Sequence, residues 1–406
     1  MKTVYRLILK GGHLIDPVNN KDGIFDIAIS DNTVELIQES ITEPAEKTVD
    51  ISGLFVTPGL IDCHCHIYPA FPPSKDGVYN VNADAHMFQA GVVTAIDAGT
   101  CGWQDFFRFK EQVIDSSKVR VLAMLNIAAG GMLRMESEQN TDEFNKEIAA
   151  ELTKIHSDII VAIKTAHYWV MKPFDEKHPP WASVDAALET AEMCNKPLMV
   201  DFFPYGEERT YQDLVMRLRK GDIHTHMYAQ QFPILDKNDR VNDFLLEARQ
   251  RGVLFDLGHG AGSFWFRNAI AAYKDGFGPD TISSDLYMEN VHGTALNLLH
   301  IMSKYLCIGM PLNDTIARVT MYPAKVFDLP ELGHLTEGSC ADIAVLKLHE
   351  GRFSYSDCGN ARMNGDKKLE CMMTVREGKI VYDPSGLSMP LWEEAPADYW
   401  TSPGVL

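Results

Sequence analysis

No stretch of this sequence is apolar for long enough to span a bilayer, and no basic-then-apolar segment opens it. Those absences set the expectation of a cytoplasmic protein with no membrane partner. Positive charge is scarce: 37 Lys and Arg stand against 56 Asp and Glu, giving a formal charge of −19 and a pI near 5.1. A chain this acidic is repelled by phosphate backbones and anionic lipid, so nucleic acid is not expected as a partner either. The eight cysteines are scattered, with no zinc-type Cys-x-x-Cys, a pattern that fits free thiols in a reducing compartment. Internal repeats and low-complexity tracts are missing as well.

What the chain does have is length and rhythm. Its 406 residues suffice for a large barrel plus a smaller unit. Residues 1–57 read as short alternating strands in a small antiparallel unit, with Gly11-Gly12 expected to turn. From Leu60 the pattern becomes strand, helix, strand, helix. Eight short apolar runs are candidate strands: Leu60–His66, Val92–Ala98, Val119–Ile127, Ile159–Thr165, Leu198–Phe203, Asp222–Tyr228, Val253–His259 and Thr281–Leu286. Helices are expected over Thr141–Ile155, Val184–Cys194, Val241–Gln250, Phe264–Tyr273, Thr294–Lys304 and Leu312–Thr320. Eight such units predict a (β/α)8 TIM-type barrel. The alternative, a doubly wound sheet, lacks its Gly-x-Gly-x-x-Gly after the first strand. Strand Ala341–Leu346 and a hairpin around Glu377-Gly378 return to β structure. Both chain ends (1–57 and 335–385) are therefore expected to build one small β-sandwich domain beside a 58–334 barrel, followed by an irregular tail over 386–406.

The barrel strands end in groups that bind metals or move protons. His64 and His66 stand two apart after Leu60-Ile61-Asp62-Cys63, so along a strand they share a face and can chelate one ion. Cys63 and Cys65 beside them read as small buried fillers. Strand four offers Lys164, strand five Asp201, strand six His224 and His226, strand seven Asp256 and His259, and strand eight Asp285. A lysine or aspartate inside an apolar strand is costly unless a partner offsets its charge. Active sites of such barrels lie at the C-terminal strand ends, where these groups would converge.

On these residues the chain resembles the amidohydrolase superfamily of metal-dependent hydrolases. The resemblance rests on Val56-Thr57-Pro58-Gly59-Leu60-Ile61-Asp62-Cys63-His64-Cys65-His66, on Tyr322-Pro323-Ala324-Lys325 and on Gly338-Ser339-Cys340-Ala341-Asp342-Ile343-Ala344-Val345. Gly258-His259-Gly260-Ala261-Gly262-Ser263-Phe264 and Pro279-Asp280-Thr281-Ile282-Ser283-Ser284-Asp285 look like its dihydroorotase-like deacetylase branch. The resemblance implies two divalent metal ions, zinc first and manganese second. His64, His66 and Asp285 would hold the buried ion, carboxylated Lys164 would bridge, and His226 would hold the exposed ion. A water between the ions would be the nucleophile, with Asp285 moving its proton. The implied reaction is hydrolysis of an amide bond in an N-acyl compound or a cyclic amide or imide, with an ester also open.

One position departs. Relatives place a histidine at the end of strand five, and this chain has Asp201. Asp201 still fits a hard, oxygen-binding ligand for the exposed ion. The substitution opens a second function class, a metal-poor or non-hydrolytic relative. His167 or His224 is the next candidate for the missing ligand. His224 shares a face with His226 but is expected deeper in the barrel. Arg134, His167 and His259 are candidates to bind the substrate, with Tyr168 and Trp169 offering an apolar or aromatic surface. The expected partners are a small-molecule substrate and further copies of the chain in a homo-oligomer.

Overall fold

A computed structural model describes residues 4–69 and 80–395 of the protein. Of the expected tail over 386–406, only 386–395 lies among these, and it runs in turns.

The first strands are β1 (Tyr5–Asp16), β2 (Lys21–Ser30), β3 (Thr33–Gln38), β4 (Ala45–Asp50) and β5 (Phe55–Pro58). The barrel strands follow: β6 (Leu60–Cys65), β7 (Val92–Gly102), β8 (Arg120–Asn126), β9 (Ile160–Thr165), β10 (Leu198–Val200), β11 (Ile223–His224) and β12 (Leu254–Phe255). The last three are β13 (Ile343–Ser356), β14 (Arg362–Arg376) and β15 (Lys379–Tyr382).

Strands β1–β5 and β13–β15 form one hydrogen-bonded sheet. The expectation here needs two corrections. The sheet is mixed, because β1 pairs antiparallel with β2 but parallel with β4 along its first half and with β5 along its second. And Gly11-Gly12 does not turn: β1 runs through it with a register shift between Leu9 and Gly12. Gly11 sits at φ 72°, and a Cβ there would meet Ser52 Oγ at 2.5 Å, so the glycine serves a bulge. Leu9, Ile27, Val56, Ile343 and Met373 pack inside this sheet.

β6 to β12 lie side by side in chain order, all parallel. The segment 281–286 lies between β12 and β6. It bridges Asp256 to Thr281 on one side and Cys65 to Leu286 on the other, both parallel. The result is a TIM-barrel type fold in which this last segment contributes single bridges instead of a ladder. Strands β11 and β12 are shorter than their apolar runs for a local reason. His226 (φ 60°), Gly258 (φ 48°) and Asp285 (φ 47°) take left-handed backbone just past each short run, which ends extended pairing.

Helix starts follow their caps. The expected Thr141–Ile155 helix spans Lys146–Ile155, because the Asn145 side chain accepts from the Ile148 N–H and sets the start. Thr294–Lys304 is displaced to Leu298–Ile308, with Asn297 accepting from the His300 N–H. Phe264–Tyr273 becomes Phe266–Lys274.

The barrel interior below the site is apolar, with Ile61, Cys63, Ile96, Met124, Val161 and Met199 closed off by Ala324 and Phe327. Strict alternation would send Cys63 and Cys65 to one side of β6. A register shift between Asp62 and Cys65 breaks that alternation, and Cys65 joins the outer core. Both cysteines are buried and free, as fillers.

Asp256 ties the closing edge together. It is fully buried and accepts hydrogen bonds from Thr225 Oγ1 (2.7 Å), Thr281 Oγ1 (2.6 Å) and Ser283 Oγ (2.8 Å). Asp256→Ala would strand three buried hydroxyls and open a void. The expected loss of stability is roughly 2–4 kcal/mol, read from urea unfolding midpoints, whereas a loss below about 0.5 kcal/mol would mean Asp256 does not tie this edge.

Candidate metal centre

His64, His66 and Asp285 come together at the C-terminal end of the barrel. Each offers a donor atom, and these atoms all lie within 4.8 Å of one another. His66 Nε2 is 3.0 Å and His64 Nε2 3.5 Å from Asp285 Oδ1. Among the described residues this is the one such group of three or more histidine, cysteine or acidic side chains.

The surroundings orient the rings. Thr225 Oγ1 gives its proton to Asp256, so it accepts from His64 Nδ1–H at 2.9 Å. His226 Nδ1–H donates to the Gly258 carbonyl at 2.7 Å. His66 Nδ1 meets Thr100 Oγ1 at 2.8 Å. With Nδ1 occupied, each ring turns Nε2 to the centre, the arrangement in which outer partners orient metal-binding imidazoles. Burial holds the His64 imidazole well below its ordinary pKa and pulls His66 down to about 4, so both are neutral and able to donate a lone pair.

Lys164 ends β9 fully buried, its Nζ 3.4 Å from His64 Nε2 and without an ion pair among the described residues. Burial lowers its pKa, which favours the neutral, nucleophilic amine. Burial pushes the Asp285 carboxyl up to about 7. Two neutral imidazole nitrogens and a carboxylate oxygen converge on one point beside Lys164. A divalent cation would accept all three donors, so the residues present fit such an ion.

Asp201 Oδ2 lies 3.6 Å from His226 Nε2 and 3.7 Å from His167 Nε2. Burial alone would raise its pKa, but His226, His167 and Lys164 together hold it below the usual carboxylate range. His167 is fixed from behind by Glu138, whose Oε2 accepts from Nδ1–H at 3.0 Å while Oε1 accepts from Asn126 Nδ2 at 2.9 Å. His167, His226 and Asp285 all have positive φ, between 47° and 60°. Such strain in non-glycine residues gathers at functional sites. Gly260 lies so close to Asp285 that a Cβ there would stand 2.3 Å from Oδ2.

These side chains open into a cavity of about 350 Å³ that Trp169, Gln231, Ser263, Tyr287 and Glu289 also line. Three expectations fail here. His224 does not share a face with His226: it is buried against Tyr211, Phe232 and Phe255, with both ring nitrogens unpartnered. His259 faces away from the cavity, stacked on Phe264 and accepting from Lys304 Nζ at 2.8 Å. Arg134 is exposed and bonded to Gln104 Oε1, outside the cavity lining. Glu138, Gln231, Tyr287 and Glu289 carry no periodic signal in the sequence, since Glu138 lies in a single 3-10 turn and the others in turns and loops.

The barrel and this donor cluster define a class, a TIM-barrel type protein with a candidate metal centre in its C-terminal face. An amidohydrolase family model matches residues 261–381. A deacetylase of Enterococcus faecalis is 27% identical over 386 residues, covering 93% of this chain and 99% of the relative. A deacetylase of Brucella anthropi is 29% identical over 364 residues, covering 86% and 84%. The crystal structure of an adenine deaminase superposes with a TM-score of 0.82 at 26% identity, covering 93% of this chain and all of that one. The chain is thus similar to amidohydrolases over residues 261–381 and to deacetylases over most of its length.

The His167–Glu138 pair makes stability pH-dependent in the metal-free protein. Burial works to lower the His167 pKa, but Glu138 and Asp201 raise it to about 9 from an ordinary 6.5. The folded state then holds a proton that the unfolded state has released, so this stability is complete below pH 6.5 and lost as pH rises through 9. Chelator-treated protein should lose at most about 3 kcal/mol between pH 6.5 and 9.5, and His167→Gln should flatten that slope. Identical slopes in urea unfolding would show that His167 does not carry the effect.

Proposed function

We propose that this protein is a metal-dependent hydrolase of a carbon–nitrogen amide bond in a small-molecule substrate, an N-acyl compound or a cyclic amide. The observation that carries the reading is the buried His64–His66–Asp285 cluster beside Lys164 on the cavity floor. The deacetylase relatives support the reaction class. In this reading segment 281–286 is the eighth strand of a (β/α)8 barrel over 58–334. Residues 1–57 and 335–385 form the second domain, and the protein works in the cytoplasm as a homo-oligomer.

His64, His66 and Asp285 would hold one divalent ion, zinc or else manganese. His226 and Asp201 would hold a second. Lys164, carboxylated on Nζ by carbon dioxide, would bridge them; the buried amine of lowered pKa is suited to that addition. Bound divalent ions lower the pKa of a water and polarise a carbonyl. Asp285 takes the proton from the attacking water and delivers it to the leaving nitrogen, so amide and water become carboxylic acid and amine. Tyr287 and Trp169 flank the space where the amide would lie.

Asp285→Asn keeps the shape and removes the proton acceptor. Turnover of a panel of N-acetylated amines should fall by roughly a thousandfold or more, with folding intact. A near wild-type rate would remove Asp285 from this role. Chelation should abolish turnover, and zinc or manganese should restore it.

Lys164→Ala should lose metal and activity together. Propionate in the buffer should restore part of both by supplying a carboxylate in the gap. A Lys164→Ala protein with full metal content would rule out the bridging role.

A further inference from the structure

We infer that the substrate carries an extended apolar or aromatic group, seated on an aromatic wall that Trp169 and Phe203 form at the cavity mouth. The inference rests on the proposed amide hydrolysis and names its substrate class. Trp169 is half-buried and lines the cavity. Its ring stacks on Phe203 with centroids 6.1 Å apart. Phe203 is 39% exposed, and its neighbours Tyr205 (58%) and Val170 (50%) are more exposed still. Trp169 therefore carries apolar surface from the cavity lining to the exposed Phe203 ring. Large exposed apolar side chains grouped at a site mouth mark a binding surface more often than chance exposure does.

A second observation shows that the wall is held rigid. Arg209 lies behind it, 1% exposed and without a carboxylate partner among the described residues. Its guanidinium stands 4.1 Å from the Phe202 ring centroid and 5.3 Å from that of Trp169. It donates to the Pro180 carbonyl (2.9 Å) and the Phe203 carbonyl (2.7 Å). Burying an arginine on ring faces and carbonyls alone is costly, and what it secures is the orientation of Trp169 and the backbone of Phe203. A preformed apolar surface binds without ordering side chains on arrival. By contrast, Arg134 stands outside the cavity, so no guanidinium among the cavity residues meets a substrate carboxylate.

The test uses the purified metal-loaded protein and a series of alkylhydroxamic acids, with affinity measured by calorimetry. Octanohydroxamate should bind at least about tenfold tighter than acetohydroxamate, since each buried methylene adds several-fold. That ratio should fall toward one in Trp169→Ala and in Phe203→Ser. A ratio near one in the wild type, or an unchanged ratio in both variants, overturns the inference. Acetamide and octanamide, followed by tryptophan fluorescence on chelator-treated protein, repeat the comparison without an ion. Loss of hydroxamate binding with a surviving chain-length dependence in the amides would fault the metal centre and keep the wall. A shift from oligomer to monomer in Phe203→Ser, by sedimentation, would show that a second copy of the chain covers this surface, and would also overturn the inference.

Discussion

The buried carboxylate of Asp256 is the constraint on which most of the site depends. It binds hydroxyls from Thr225, Thr281 and Ser283, so it joins the ends of β11 and β12 to segment 281–286, which pairs by single bridges. Through Thr225 it also fixes the tautomer of His64. Asp62 acts in the same way on the other side of segment 281–286, accepting from Ser284 N–H at 3.0 Å and from its hydroxyl. Two buried acids thus reinforce the backbone hydrogen bonds that hold 281–286 on both sides, and Asp285 within it takes a left-handed backbone over the cavity. Regular strand pairing there would have pointed that carboxyl along the sheet normal. Closure of the barrel and aim of the acid are one arrangement.

The donor set follows a single rule. His64, His66, His226 and His167 each have Nδ1 held by an oxygen of the protein and present Nε2 toward the cavity. Four imidazoles oriented alike around Asp201, Asp285 and Lys164 form a cage in which polar groups converge. Such convergence is unfavourable without a cation, and it persists because the oxygen partners and the strained backbone at His167, His226 and Asp285 over-determine it. Asp201 fits this picture, since a carboxylate between two imidazoles adds a hard oxygen donor where the rings supply nitrogen.

Much of this was legible in the chain, for identifiable reasons. His64 and His66 stand at a strand end, and Lys164 and Asp285 interrupt apolar runs, so hydrophobic pattern and cost of burial marked them. The seven parallel strands were visible as Val- and Ile-rich segments. Pattern failed where geometry departs from regular strands. His224 and His226 share a face only if the strand continues, and β11 ends at His224 before His226 turns to φ 60°. His259 carried the right residue type, yet Lys304 holds its ring on the far side. Glu138 was invisible because a loop acid has no periodicity, and only the fold brings it behind His167. Gly11-Gly12 spoke for a turn, while pairing with β2 on one side and β4 and β5 on the other made it a bulge.

The central claim is that the cage at the cavity floor exists to hold divalent metal. Elemental analysis of the purified protein, before and after dialysis against chelator, addresses it most directly. The account predicts one or two equivalents of zinc or manganese per chain, lost together with amide hydrolysis and regained with it. A protein that is metal-free as isolated and hydrolyses its substrate undisturbed by chelator would contradict the account.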